Sequence, residues 1–148
     1  MRRSNVLWPI MVLALALTLL ASACGGGKDG DKEASGVDIT CDGTALKSDP
    51  GLPPNFPMWD EVTLTKSEQQ GPTLSVNGYF TGGDIQEAHD EYKNRFEAAG
   101  YTILFDEVED KDSEVSYKDA QGKTTGQVAL KAECDNDNIS VHITNRPS

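Results

Sequence analysis

One acidic run carries the side chains best suited to holding a metal ion. Residues 106–114 read DEVEDKDSE and place six carboxylates within nine positions. Clustered carboxylate oxygens are the ligands that Ca²⁺ prefers, but the run lacks the alternating Asp/Asn spacing and the glycine that give an EF-type loop its sharp bend. We therefore predict a solvated hairpin loop between two strands, with no metal and no cofactor. The acids are Asp106, Glu107, Glu109, Asp110, Asp112 and Glu114.

The two histidines are the other side chains that could act as a base or a ligand. His89 falls one residue off the apolar stripe of a predicted helix, and His142 stands between Val141 and Ile143, so it should point away from the core. No Gly-x-Ser-x-Gly or His-Glu-x-x-His motif accompanies them. A nucleophile needs a base within reach, and the sequence therefore does not predict a catalytic site.

The amino-terminal 23 residues have the layout of a secretory signal. They contain Arg2 and Arg3, no acid, and an apolar run from Val6 to Leu20 that only Pro9 and Thr18 interrupt. A positive start, an apolar stretch of about 15 residues and small residues at its end are typical of a cleaved signal rather than of a spanning helix.

The end of this signal, Leu19-Leu20-Ala21-Ser22-Ala23-Cys24, resembles the lipobox of bacterial lipoproteins. The resemblance implies that the Cys24 thiol receives a diacylglycerol and that cleavage leaves Cys24 as the first residue. One position departs from the family, because Ala21 stands where Leu is most common. The alternatives are an ordinary cleaved signal and an uncleaved anchor. The lipobox implies attachment to the cell membrane, on its extracytoplasmic face.

The next residues predict a flexible tether. Residues 25–36, GGGKDGDKEASG, contain five glycines and no large aliphatic side chain, and a flexible coil of this length spans about 19 Å. Removing residues 1–23 leaves 11 basic and 24 acidic residues, a formal charge of −13. Such a chain repels anionic headgroups and phosphates. We therefore expect that the lipid alone attaches the protein to the membrane, and we exclude nucleic acid as a partner.

After Cys24 is lipidated, two cysteines remain, Cys41 and Cys134. Disulfides persist in exported proteins, and an even number of cysteines is what a structural bridge requires. Two free thiols and a metal pair are the alternatives, but no further ligands lie at suitable spacing. We therefore predict a Cys41–Cys134 disulfide, which would remove ~4.6 kcal/mol of unfolded-state entropy.

One amphipathic helix is predicted from Ile85 to Ala99. Asp84 provides the N-cap, Gly100 the left-handed end, and Phe96 and Tyr101 occupy the positions that touch in a Schellman ending. The apolar stripe that should face the core comprises Ile85, Ala88, Tyr92, Phe96 and Ala99.

The other regular segments alternate apolar and polar residues and predict strands. Short turns join the last three, which must therefore be antiparallel. One helix covers one side of a sheet, so residues 37–148 should form a small, acidic, two-layer α+β domain in which the helix packs on a mainly antiparallel sheet and one disulfide closes the chain. The predicted strands are Val37–Cys41, Val62–Thr65, Leu74–Phe80, Tyr101–Phe105, Val115–Lys118, Gln127–Cys134 and Ile139–Ile143.

Residues 50–59 form a proline–aromatic segment with four prolines, which predicts an extended, polyproline-like conformation. Together with the elements that follow, it resembles segments in small uncharacterised lipoproteins of the bacterial envelope. Phe56, Met58 and Trp59 would either bind a partner as an exposed patch or close the open side of the sheet.

The sequence thus predicts a lipid-anchored envelope lipoprotein whose domain is a non-enzymatic binding or interaction module for an unknown envelope protein or ligand. The alternative is a small metal-dependent or hydrolytic envelope enzyme that uses acids of residues 106–114.

Overall fold

The computed structural model describes residues 39–148, so the predicted signal, Cys24 and the tether lie outside the described residues. Within that range, no helix is long and apolar enough to cross a membrane. The elements are β1 (Thr63–Gln70), β2 (Thr73–Thr81), α1 (Ile85–Ala98), β3 (Thr102–Val108), β4 (Asp112–Lys118), β5 (Thr124–Lys131) and β6 (Asn138–Pro147).

All six strands form one antiparallel sheet in the order β1-β2-β6-β5-β4-β3. The predicted meander of the last three strands is confirmed. The carboxyl-terminal strand β6 lies at the centre, between β2 and β5, and joins that meander to the first hairpin. Its inward residues Ile139, Val141 and Ile143 are almost fully buried because sheet neighbours flank them on both sides.

The helix begins and ends on the predicted signals. The carboxylate of Asp84 accepts hydrogen bonds from the backbone amides of Gln86 and Glu87 at 2.8 and 3.3 Å, which satisfies two amides that lack partners within the helix. At the other end, Tyr101 N–H donates to Phe96 C=O at 2.9 Å across Gly100, whose φ is 78°. This is the predicted Schellman ending, and the helix stops one residue earlier than expected.

The core lies between α1 and one face of the sheet, which we call the helix face. The predicted two-layer α+β arrangement is confirmed, with the sheet as the larger component. The helix packs on β3, β4 and β5. The inward side chains are Val76, Phe80, Ile85, Ala88, Tyr92, Phe96, Val115, Tyr117, Val128, Leu130, Ile139, Val141 and Ile143.

Tyr117 lies flat over a glycine in the neighbouring strand. Its hydroxyl donates to Thr144 C=O at 3.0 Å and accepts from Asn145 Nδ2 at 3.3 Å. The path crosses Gly126 of β5, where a Cβ atom would collide with both the tyrosine ring and the Thr144 carbonyl. Gly126 is therefore needed for this buried hydrogen bond between β4 and β6.

The segment that contains Cys41 is not a strand, which corrects the prediction for residues 39–41; Val37 lies outside the described residues. Both β6 and β2 already have strand neighbours on each side, so no edge is available there. Instead the crossing segment, residues 39–46, lies over the face opposite α1, which we call the open face. Thr40 N–H donates to Ser140 Oγ at 2.8 Å.

The predicted disulfide is confirmed. Cys41 and Cys134 are bonded, with a Cα–Cα distance of 5.4 Å and 93 residues between them in sequence. The Cys41 carbonyl also accepts hydrogen bonds from Asn136 and Asn138 at 3.1 and 2.7 Å. The bridge therefore fixes the crossing segment to the turn between β5 and β6.

Replacing both cysteines, Cys41→Ser with Cys134→Ser, should lower the free energy of unfolding by about 2–5 kcal/mol because the unfolded chain regains a long loop. Urea unfolding of the oxidised protein and the double variant measures the difference. A Ser35→Ala variant provides the unaffected reference. Equal stability of the oxidised protein and the double variant would contradict the structural role of the bridge.

Candidate functional site

The proline–aromatic segment packs against the core beside α1. Phe56, Met58 and Trp59 are half-buried. The Trp59 ring lies 4.7 Å from Phe80, and the Phe56 ring meets Phe96 edge-on at 5.6 Å, measured between ring centroids. Of the two roles considered from the sequence, the geometry favours closure of the helix face, which α1 alone does not cover.

One edge of Trp59 lines a cavity of about 510 Å³ at the start of α1. Its other prominent side chains are the carboxylates of Glu61, Asp84, Glu87 and Glu91, together with Arg95. Two of these acids already have partners, because Asp84 caps the helix and Glu91 pairs with Arg95.

The acidic run connects two paired strands, as predicted, but most of it belongs to the strands themselves: β3 ends at Val108 and β4 begins at Asp112. Asp106 points to the helix face, where Lys93 Nζ donates to it at 2.7 Å. This ammonium holds the pKa of Asp106 below its usual range, and Asp106 in turn raises the pKa of Lys93. Residues 39–148 contain no group of three or more His, Cys, Asp or Glu residues placed to hold a metal ion.

A serine, a histidine and an aspartate meet under the helix. His89 Nδ1 lies 2.9 Å from Ser113 Oγ, and His89 Nε2 lies 3.5 Å from Asp106 Oδ2. The residue types match a hydrolase triad, but Ser113 is 1% exposed and His89 3% exposed. A nucleophile must reach its substrate, so this contact is suited to joining α1 to β3 and β4.

The sequence did not reveal this contact. Placing His89 off the apolar stripe was correct for helical spacing, yet its ring is buried because β4 supplies a hydroxyl opposite it. The available signal was the alternation of Ser113, Val115 and Tyr117, which assigns Ser113 to the inward face of its strand.

His142 points to the open face, away from the helix side, as predicted. Its Nδ1 atom contacts Asn77 Oδ1 on the neighbouring strand. Asn77 is 3% exposed, so this pair forms a partly buried polar layer at the centre of the open face.

A shallow groove of about 420 Å³ crosses the open face from β2 to β3. We call it the open-face groove. Among residues 39–148, its walls combine hydroxyl and amide side chains with one apolar residue and one guanidinium, and no carboxylate of these residues lines it. The lining residues are Thr73, Leu104, Ser116, Thr125, Gly126, Gln127, Thr144 and Arg146.

The chain matches no protein-family model and no curated protein sequence.

One buried side chain next to the proline–aromatic segment carries a hydroxyl without a hydrogen-bond partner among residues 39–148. Tyr92 is completely buried, and its hydroxyl has no hydrogen-bond partner among the described residues. Burial raises the pKa of Tyr92 well above its ordinary value, which the nearby Arg95 only partly offsets.

We therefore expect Tyr92→Phe to raise the free energy of unfolding by about 1–3 kcal/mol, because the variant removes a desolvated group that gains nothing. Urea unfolding measures the change. Tyr117→Phe is the matched control and should lower stability, since it breaks the bond to Thr144. A loss of stability in Tyr92→Phe would mean that its hydroxyl has a stabilising partner.

Proposed function

We propose that the protein is a lipid-anchored lipoprotein of the bacterial cell envelope and that its domain is a non-enzymatic binding module on the extracytoplasmic side. The resemblance of residues 19–24 to a lipobox supports the anchor. The Cys41–Cys134 bridge supports an oxidising, exported environment, because disulfides are rare in the cytosol.

Binding is favoured over hydrolysis by the burial of Ser113 and His89, the two residues of the Ser113–His89–Asp106 contact that would have to reach a substrate. Water and substrate cannot reach Ser113 Oγ while α1 covers β4. Among the acids of residues 106–114, Asp106 pairs with Lys93 on the helix face, and the others lie on the open face or in the turn. They therefore do not converge on one point.

The observation that carries the proposal is the open-face groove. It is concave, and the part of the chain that the structure describes contributes no carboxylate to its lining although the whole chain is acidic. Its hydroxyl, amide and guanidinium groups donate and accept hydrogen bonds, and Arg146 is the one cation that the described residues place there. These groups suit a polar group of an envelope component that is neutral or carries one negative charge.

The anchor predicts a specific change in fractionation. In protein from which residues 1–23 have been cleaved, Cys24→Ala should move the domain from the membrane fraction to the soluble extracytoplasmic fraction, because two or more acyl chains hold a protein firmly and their loss releases it. Mass spectrometry of the mature amino terminus should find diacylglycerol on Cys24. Cys41→Ser is the matched control and should stay membrane-bound. An unmodified Cys24 thiol in protein from its own host would contradict the anchor.

The groove predicts a position-specific contact in cells. A photo-crosslinking side chain at Gln127, within the groove, should yield one discrete adduct that mass spectrometry identifies. The same side chain at Gln121, in an exposed turn, should not yield it. Arg146→Glu should abolish the adduct while the melting temperature stays unchanged, since Arg146 is exposed. Identical adducts from both positions, or none from Gln127, would contradict binding at the groove.

A further inference from the structure

The two edges of the sheet differ in how they are covered. At β1, Leu46 N–H donates to Leu64 C=O at 2.8 Å, and the Ser67 hydroxyl donates to Pro50 C=O at 2.6 Å. The preceding chain therefore occupies part of this edge. At β3, Leu104 is 55% and Phe105 49% exposed. Within residues 39–148, β3 has a strand neighbour on one side only, and an edge strand with exposed apolar side chains can pair with another strand. Charged residues and bulges hinder such pairing in most registers, so a partner strand must match β3 closely.

A β-bulge in β3 places two consecutive apolar residues on one face. The register with β4 shifts between Ile103 and Phe105. Leu104 lines the open-face groove, and Phe105 pairs with Ser116, which lines the same groove. Both side chains are therefore on the open face.

The residues on either side of this pair return to the helix face. Ile103 pairs with the inward Tyr117, and Asp106 pairs with the inward Val115. Counted outward from the midpoint between residues 104 and 105, the first side chain lies on the open face and the next on the helix face in both directions along β3.

This symmetry has a geometric consequence. If a second β3 pairs antiparallel about that midpoint, Leu104 lies opposite Phe105, Ile103 opposite Asp106, and Thr102 opposite Glu107. Every pair then joins residues of the same face, as a continuous sheet requires. In a strand without a bulge, successive side chains lie on opposite faces of the sheet. Pairing about a midpoint between two adjacent residues would then place side chains of one face opposite side chains of the other.

We propose that β3 is the pairing edge for a second copy of this chain, so that two sheets join into one across a two-fold axis. The exposed Leu104 and Phe105 of each copy then cover those of the other. Because Leu104 already lines the open-face groove, the second copy extends that groove with its own Phe105.

Local charges favour this arrangement despite the acidic chain. Thr102 pairs with Lys118 on β4, so Glu107 of the second copy lies in the same cross-strand row and on the same face as this ammonium, with Thr102 between them. Asp106 is already neutralised by Lys93. Repulsion between more distant acids is screened beyond about 8 Å at physiological ionic strength. A basic peptide bound at the same edge would have to place its cations opposite Asp106, and Lys93 already pairs with that carboxylate.

The register can be tested with a pair of cysteines in the full-length chain within its own envelope. Thr102→Cys combined with Glu107→Cys should give a disulfide-linked dimer under copper–phenanthroline oxidation, because the two positions are opposite each other between copies. Each single variant should remain monomeric, since the same residue in two copies lies roughly 16 Å apart. Residues 102 and 107 of one strand are also too far apart for a disulfide within one copy. Peptide mapping should find the 102–107 linkage.

A charge at the edge supplies an independent readout. Phe105→Lys in the double-cysteine background should reduce the dimer yield at least about tenfold, since the ammonium groups of the two copies would meet beside the two-fold axis in place of the apolar contact between Leu104 and Phe105. The melting temperature should not change, because Phe105 is half exposed. Ile39→Lys alters another exposed apolar residue and should leave the yield intact.

Three outcomes would overturn the proposal: no dimer from the double-cysteine variant, equal dimers from the single variants, or linkage to a different protein. Loss of the dimer in the Ile39→Lys control would do the same. Cys24→Ala tests the anchor separately, so failure of the pairing and failure of the proposed function are distinguishable.

Discussion

A single helix must cover a sheet of six strands, and the rest of the structure follows from that mismatch. The helix α1 packs on β3, β4 and β5 and leaves the β1–β2 side of the helix face uncovered. Trp59 and Phe56 fill that space, against Phe80 on one side and against Phe96 and Tyr117 on the other. Large aromatic rings bury much surface per residue, which compensates for the few aliphatic residues in this chain. The proline–aromatic segment is thus part of the core.

The same constraint separates the two faces of the sheet. The helix face takes most of the apolar side chains that the strands provide. Apart from exposed residues such as Leu104 and Phe105, the open face is built mainly from hydroxyl, amide and charged groups. The crossing segment shields its centre, where Asn77, Ser140 and Lys131 are buried. Toward β3 the face remains accessible, and the open-face groove lies there. The binding function proposed above uses this side of the sheet.

Local features of the sequence predicted local features of the fold. The helix was predictable to within one residue because Asp84 and Gly100 fix its ends through side-chain and backbone properties that do not depend on the sheet. The central position of β6 was not predictable, since pairing with β2 joins residues far apart in the chain. The segment at Cys41 alternates like a strand, yet no free edge exists where the disulfide holds it. The bulge in β3 and the contact of His89 with Ser113 depend on strand register, which alternation alone does not determine.

The disulfide also determines how the domain responds to a pulling force. Tension applied at the amino-terminal end reaches Cys41 before it reaches any strand, and the covalent bond transfers it directly to Cys134. The intervening chain, with β1 to β5 and the helix, is thereby removed from the load path. Only the residues after Cys134 remain in series with an opposing pull at the carboxyl terminus, and of the strands only β6 lies there, held on both sides by β2 and β5. The disulfide therefore shields β1 to β5 and the helix from a pull applied between Cys41 and the carboxyl terminus.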